Sequence, residues 1–227
     1  MEGQRSAVNK RSRTLGVIVA GGRGARLGLG RPKAFAEAGG MTLLARAESV
    51  LAALCDAIVI AAPAELELPP HRAPRVPDAG DARVPLAGLV AGLTSRPFAR
   101  ALALGVDFPL MRPELLAALL ARLGSRAAVI PVPGGVPQPL AAVYAPGAVA
   151  PLAAALAGGE RAVTVAALAL DPLLVAEHEL ERLDGGSACF FNLNTPADLE
   201  EARRRLDASP ERRAAIAARA PTGVPTP

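Results

Sequence analysis

Three short segments of the chain concentrate the residue types that handle phosphate and metal. The first is Ala20-Gly21-Gly22-Arg23-Gly24-Ala25-Arg26-Leu27-Gly28, followed by Lys33. Glycines let a backbone approach a ligand closely, and successive N–H groups turned inward form an anion nest. Arg26 and Lys33 add the charge that a triphosphate requires. The segment is not a P-loop, because no Gly-Lys-Ser/Thr follows at the required spacing. It is not a dinucleotide fingerprint either, because Leu27 stands where a third glycine is needed. The bland alternative is a glycine-rich turn after a strand.

The second segment is Val106-Asp107-Phe108-Pro109-Leu110. A carboxylate at the end of a buried strand points into the crevice where such sheets bind ligands, and a hard oxygen donor there suits Mg²⁺. The lesser alternative for Asp107 is a cap on the following turn. The third segment is Asn192-Leu193-Asn194-Thr195-Pro196. In extended chain, residues i and i+2 share a side, which predicts that Asn192 and Asn194 act as an amide pair on a phosphate, a metal-bound water or a sugar. Asn194 could instead serve only the helix that follows. No Ser–His or Cys–His pair is suitably placed in sequence. That fits chemistry in which the attacking group is itself an anionic phosphate and needs no general base, catalysis resting on positioning and charge neutralisation.

The elements that must hold these segments follow from apolar runs and their punctuation. Leu15–Ala20, Ala57–Ala61 and Arg100–Val106 read as buried parallel strands, with further strands at Ala127–Val132, Leu140–Tyr144 and Leu173–Glu177 and a short one near Arg75-Val76. Phe190-Phe191 is expected to end another short strand. Helices are expected at Leu43–Leu54 after Thr42 as N-cap, at Pro85–Leu93 and Pro113–Leu123 with Pro at the first position, at Ala148–Leu156, and from Thr195-Pro196-Ala197-Asp198 to about Leu206. Strands alternating with helices imply an α/β chain: a Rossmann-like three-layer sandwich with a mostly parallel central sheet. One domain is expected over residues 14–207, between a disordered basic tail (1–13) and a weakly ordered C-terminal tail (208–227).

Composition narrows the function further. The 227 residues carry a net charge of +4, but each end contributes +3, so residues 14–200 carry −2. No basic stripe lies in the body and aromatics are only 3%, which argues against nucleic acid as a partner. Lys33 is the body's single lysine, and Asn192 and Asn194 are its two asparagines. Two cysteines, Cys55 and Cys189, are too few for a disulfide framework or a zinc site. The uncharged stretch from Ala127 to Gly159 is long enough to cross a membrane, but its prolines and glycines would leave backbone unsatisfied in lipid. With no apolar leader at the charged N-terminus, a cytoplasmic protein without membrane partners is expected.

Taken together, Val19-Ala20-Gly21-Gly22 with Arg26, Gly28 and Lys33 resembles the nucleotidyltransferase signature of the glycosyltransferase-A-like superfamily. Pro85-Leu86-Ala87-Gly88, Val106-Asp107-Phe108-Pro109, Gln138-Pro139-Leu140, Gly159-Glu160-Arg161 and Phe191-Asn192-Leu193-Asn194-Thr195-Pro196 narrow the resemblance to the molybdenum cofactor guanylyltransferases, over about residues 15–206. The resemblance implies Mg²⁺-dependent transfer of GMP from GTP to the phosphate of molybdopterin, with release of pyrophosphate. By matching position, Ala20, Gly21, Gly22, Gly24, Lys33 and Asp78 would hold the nucleotide, and Asp107 the nucleotide and Mg²⁺. Arg26 would act with Lys33 and Asp107 in catalysis. Asn192 and Asn194 would lie by the reacting phosphates, and Gln138 and Arg161 would face the pterin. It further implies transient contact with molybdenum-insertion proteins or apo-molybdoenzymes. There are departures: Pro32 replaces the usual Asp before the lysine, and Ala61-Ala62-Pro63 stands where an Asn often reaches the base. Arg31-Pro32-Lys33-Ala34-Phe35 also resembles cytidylyltransferases, including those of isoprenoid synthesis and of molybdopterin cytosine dinucleotide. A cytidylyltransferase on the same fold, or a non-catalytic nucleotide-binding module, is the alternative.

Overall fold

The computed structural model describes residues 13–22, 24, 27, 28, 30–78 and 84–208. In chain order its elements are β1 (Thr14–Val19), β2 (Glu37–Ala38), β3 (Met41–Thr42), α1 (Leu43–Ala52), β4 (Ala57–Ala61), β5 (Arg75–Val76), α2 (Pro85–Thr94) and β6 (Arg100–Gly105). There follow α3 (Pro113–Ala121), β7 (Ala128–Val132), β8 (Ala141–Tyr144), α4 (Val149–Ala157), α5 (Val163–Leu168), β9 (Leu173–Ala176), α6 (Glu177–Leu180) and α7 (Pro196–Asp207). The main sheet has the order β5-β4-β1-β6-β8-β7-β9. Only β8 runs antiparallel to its neighbours in it. The expected doubly covered α/β sandwich is what forms.

Both faces of the sheet are apolar because the strands bury alternate residues in two separate cores. Leu15, Val17 and Val19 of β1 join Ala101 and Ala103 of β6 on the face covered by α2, α4 and α5. Ile18, Leu102 and Leu104 point the other way, toward α1 and α3. Helix α2 carries no side-chain N-cap but starts on Pro85, whose missing N–H would have no helical partner anyway. It buries Leu86 through Leu93 continuously, and each fully buried leucine is worth roughly 1.5–3 kcal/mol. Gly92 lets α2 lie this close, since a Cβ there would run into Val17. Thr42 Oγ1 accepts from Ala45 N (3.1 Å), the expected cap of α1.

Register decides where chemistry can occur. Val19 lies opposite both Ala61 and Gly105, so β4, β1 and β6 end level with one another. From β1 the chain first builds outward through β4, then returns to place β6 on β1's other side. That is a topological switch point, and ligands of such sheets bind in the crevice beyond it.

One expected strand does not form. Phe190 closes a 3-10 helix over Gly186–Phe190 rather than a strand. Gly185 and Gly186 have positive φ, and a Cβ on Gly185 would run into Cys189. Two left-handed residues wind the chain tightly enough to bury Cys189 and Phe190. The β2–β3 hairpin and helices α5 and α6 were not expected from sequence. Of the two expected tails, residues 1–12 and 209–227 lie outside the described residues.

Candidate active site

Beyond the level ends of β4, β1 and β6 lies a cavity of about 780 Å³ lined by Gly21, Gly22, Lys33, Pro63, Asp78, Asp107 and Leu140, among others. Its floor is the turn after β1. Ala20 is fully buried and its N–H donates to the Ala61 carbonyl (2.9 Å), anchoring the loop's start. Gly24 has φ +66°, and a Cβ there would sit 2.8 Å from the Arg31 carbonyl and 2.9 Å from Lys33 N. Only glycine fits, and the tight return lets Lys33 N donate to the Gly22 carbonyl (3.1 Å). A 3-10 turn over Lys33–Phe35 then fixes the base of the Lys33 side chain.

Lys33 is the hub. Its Nζ donates to the Leu193 carbonyl and to Asn194 Oδ1 (3.2 Å) and lies 3.9 Å from Asp107 Oδ2. The side chain is only 12% exposed. Leu193 N donates in turn to the Asp107 carbonyl (2.9 Å), docking the asparagine segment on the end of β6. The three sequence segments therefore meet in one place. Asn194 serves the helix start, its N–H donating to Asp198 Oδ2 (2.9 Å) at the start of α7, and its side chain also accepts from Lys33, a contact not foreseen from sequence. Thr195 caps that helix, accepting from Asp198 N (3.2 Å) while Asp198 accepts from Thr195 N. The Asn192 Oδ1 is buried without a hydrogen-bond partner among the described residues.

Two glycines, Gly88 of the Pro85-Leu86-Ala87-Gly88 run and Gly105, which sequence reasoning did not single out, make room for the acids. A Cβ on Gly105 would run into the Asp107 carboxylate, and one on Gly88 would lie 3.3 Å from Asp78 Oδ1. The signal for Gly105 was its place at a strand end, two residues before the carboxylate. Asp78 Oδ1 is buried and unpartnered among the described residues. Burial above all, with Glu65 adding repulsion and Arg75 opposing, raises the Asp78 pKa from 3.8 to about 6. A carboxylate so placed favours a proton or a donor from a ligand.

A family model, the MobA-like NTP transferase domain, matches residues 16–173. The chain belongs to this family of nucleotidyltransferases. A probable molybdenum cofactor guanylyltransferase of Natronomonas pharaonis is 33% identical over 201 residues, covering 84% of this chain and 97% of that one. A 2-C-methyl-D-erythritol 4-phosphate cytidylyltransferase of Deinococcus radiodurans is 53% identical, but over 57 residues, a quarter of this chain (25%) and 24% of that one. The fold matches the crystal structure of molybdopterin-guanine dinucleotide biosynthesis protein A from Archaeoglobus fulgidus, with TM-score 0.73 at 24% identity, covering 86% of this chain and all (100%) of that one.

Within this MobA-like enzyme, Gly21, Gly22, Lys33, Asp78 and Asp107 line one cavity, and Asn194 joins them through Lys33. Arg26 lies outside the described residues. Gln138 does not line this cavity but a neighbouring concavity. Arg161 is exposed and lines neither. Its side chain donates to the carbonyl of Leu156, in the last turn of α4, and to that of Glu160 just beyond it. Glu65, Leu66 and Glu67, on the loop after β4, also line the cavity where the resemblance had only noted a missing Asn. No helix among the described residues is long and apolar enough to cross a membrane.

Proposed function

We propose that this nucleotidyltransferase moves GMP from GTP to the phosphate of molybdopterin, releasing pyrophosphate and forming molybdopterin guanine dinucleotide. The observation that carries the reading is Lys33, held between Asp107 of the nucleotide cavity and the Leu193–Asn194 segment. That arrangement offers one cation between a nucleotide and an acceptor. Relatives named as molybdenum cofactor guanylyltransferases align over most of the chain, which supports guanine and a pterin acceptor.

The donor set was weighed for Mg²⁺. No group of three or more His, Cys, Asp or Glu among the described residues could cage a metal. Mg²⁺ characteristically uses one or two carboxylates and completes its shell with waters and substrate phosphates, so the single hard carboxylate of Asp107 fits it. When bound, Mg²⁺ neutralises charge on the triphosphate. Gly21 and Gly22 present backbone without side chains to the phosphates. Lys33 balances the charge that builds on the departing pyrophosphate. Asn192, with its unpartnered buried oxygen, and Asn194 position the acceptor. An acceptor phosphate oxygen forms the bond to the α-phosphorus as the bond to the β-phosphate's bridging oxygen breaks. The acceptor is already anionic, so positioning and electrostatics suffice.

Cytidylyl transfer is the second reading, favoured by the local identity to the Deinococcus cytidylyltransferase. Pyrophosphate release separates them. With Mg²⁺ and molybdopterin, GTP supports release and CTP does not. Release with CTP alone would overturn the assignment of the base, and none with any nucleotide would leave a binding module.

A further inference from the structure

The loop between β4 and β5 carries part of the nucleotide cavity's wall on a tether. Residues 63–74 leave the sheet after β4 and return to it at β5. The near end, with Pro63, Glu65, Leu66 and Glu67, lines the nucleotide cavity. The far end, from Pro70 to Pro74, lines a separate cavity of about 910 Å³ together with Glu48, Ser49 and Asp56. Open space borders the loop at both ends, so packing alone does not set its position.

One side chain of α1 ties the far end. Glu48 Oε1 accepts from Arg72 N (3.0 Å) and from Ala73 N (2.8 Å). Among the described residues, these are the hydrogen bonds that join residues 67–73 to another element. A carboxylate oxygen that takes two successive N–H groups makes a charge-assisted, directional contact. Leu66 and Leu68 also rest on the core, but apolar contact is non-directional and leaves the loop's register open. Between the two ends stand Pro69 and Pro70, whose rings fix φ and stiffen the chain. From Glu67 to Arg72 the chain reaches at most about 17 Å. A shift at Glu48 is therefore carried to the nucleotide cavity, although Glu48 does not line that cavity itself.

With the triphosphate at Gly21, Gly22 and Lys33, the nucleoside falls to the rest of the lining, of which the loop supplies four residues, Pro63, Glu65, Leu66 and Glu67. We infer that Glu48 is a positioning residue for the nucleoside. By fixing the far end of the loop it sets where residues 63–67 stand in the cavity, and so how tightly GTP is held there. The inference rests on the reading that this cavity takes a nucleotide.

Calorimetric titration of the full chain with GTP and, separately, with pyrophosphate divides the nucleoside's share of binding from that of the phosphates. Glu48→Ala should weaken GTP about tenfold and leave pyrophosphate within twofold of wild type. Glu48→Gln keeps an Oε1 acceptor and should bring GTP affinity back to within about threefold of wild type. In turnover, KM for GTP should rise in Glu48→Ala while kcat holds, because Lys33 and Asp107 are untouched. Hydrogen exchange across residues 63–67 should quicken. Where Glu48→Ala does not fold, Glu48→Asp, with its acceptor withdrawn by one methylene, should show the same split. Unchanged GTP affinity in a folded Glu48→Ala protein, pyrophosphate weakened as much as GTP, or Glu48→Gln as weak as Glu48→Ala would overturn the inference. GMP transfer to molybdopterin with an unchanged GTP KM in Glu48→Ala would sink the inference and leave the proposed reaction standing. The split between GTP and pyrophosphate, found in a chain that transfers no nucleotide to molybdopterin, would do the reverse.

Discussion

Replacing Lys33 by alanine removes the one group that touches all three parts of the site. Its ammonium donates to the Leu193 carbonyl and Asn194 Oδ1 and faces Asp107 at 3.9 Å, largely shielded from solvent. Hydrogen bonds involving a charged group are worth about 1.5–3 kcal/mol. If one such contact to the triphosphate is lost, kcat/KM for GTP should fall by about 10- to 150-fold. The loss should appear in both parameters. Weaker ground-state binding raises KM, and the uncompensated charge on departing pyrophosphate lowers kcat. Lys33→Arg should recover little, because a planar fork does not reproduce a compact ammonium among these partners. Steady-state kinetics at saturating molybdopterin, with a melting curve for each variant, provide the assay. Kinetics within twofold of wild type in a folded Lys33→Ala protein would refute the placement of the triphosphate.

Other consequences follow from the same geometry. Asp107→Asn should abolish the Mg²⁺ dependence of nucleotide binding while leaving the melting temperature nearly unchanged, as calorimetry with and without Mg²⁺ would show. Gly24→Ala forces a Cβ against the Arg31 carbonyl at positive φ. It should cost about 1–3 kcal/mol of stability and weaken GTP binding by displacing Lys33, read by denaturant melts and nucleotide titration. Thr195→Ala should cost about 1 kcal/mol through loss of the α7 cap. Asp78 titrates at about 6 in the folded chain, above its ordinary 3.8. The folded state therefore binds the extra proton between these values, and stability from this group is full below pH 4 and lost as pH rises through 6. Asp78→Asn should flatten that part of the stability–pH curve. An unchanged slope would show that burial does not hold the proton.

Most of the sandwich was legible because strands buried on both faces write themselves as unbroken apolar runs, and because Pro85, Pro113 and Thr195-Pro196 mark helix starts chemically. The segment before Asn192 was misread because Cys189-Phe190-Phe191 is apolar enough for a strand. What decides its shape is the pair of left-handed glycines upstream. Helix α5 carries no side-chain cap, so nothing local announces it. At the site, Gly21, Gly22, Lys33, Asp107 and Asn194 were legible as residue types at strand and helix ends. Their meeting at one crevice was expected from the strand ends and the resemblance, but the contact that brings the asparagine segment in was not, since it is Leu193 N pairing with the Asp107 carbonyl across the fold.

The central claim, guanylyl transfer to a pterin phosphate, is tested most directly by competition. The enzyme is given equimolar GTP and CTP with Mg²⁺ and molybdopterin, and the dinucleotide product is weighed by mass spectrometry. The account predicts the mass of molybdopterin guanine dinucleotide, formed in step with pyrophosphate. A product carrying cytosine, or no dinucleotide from either nucleotide, would contradict it.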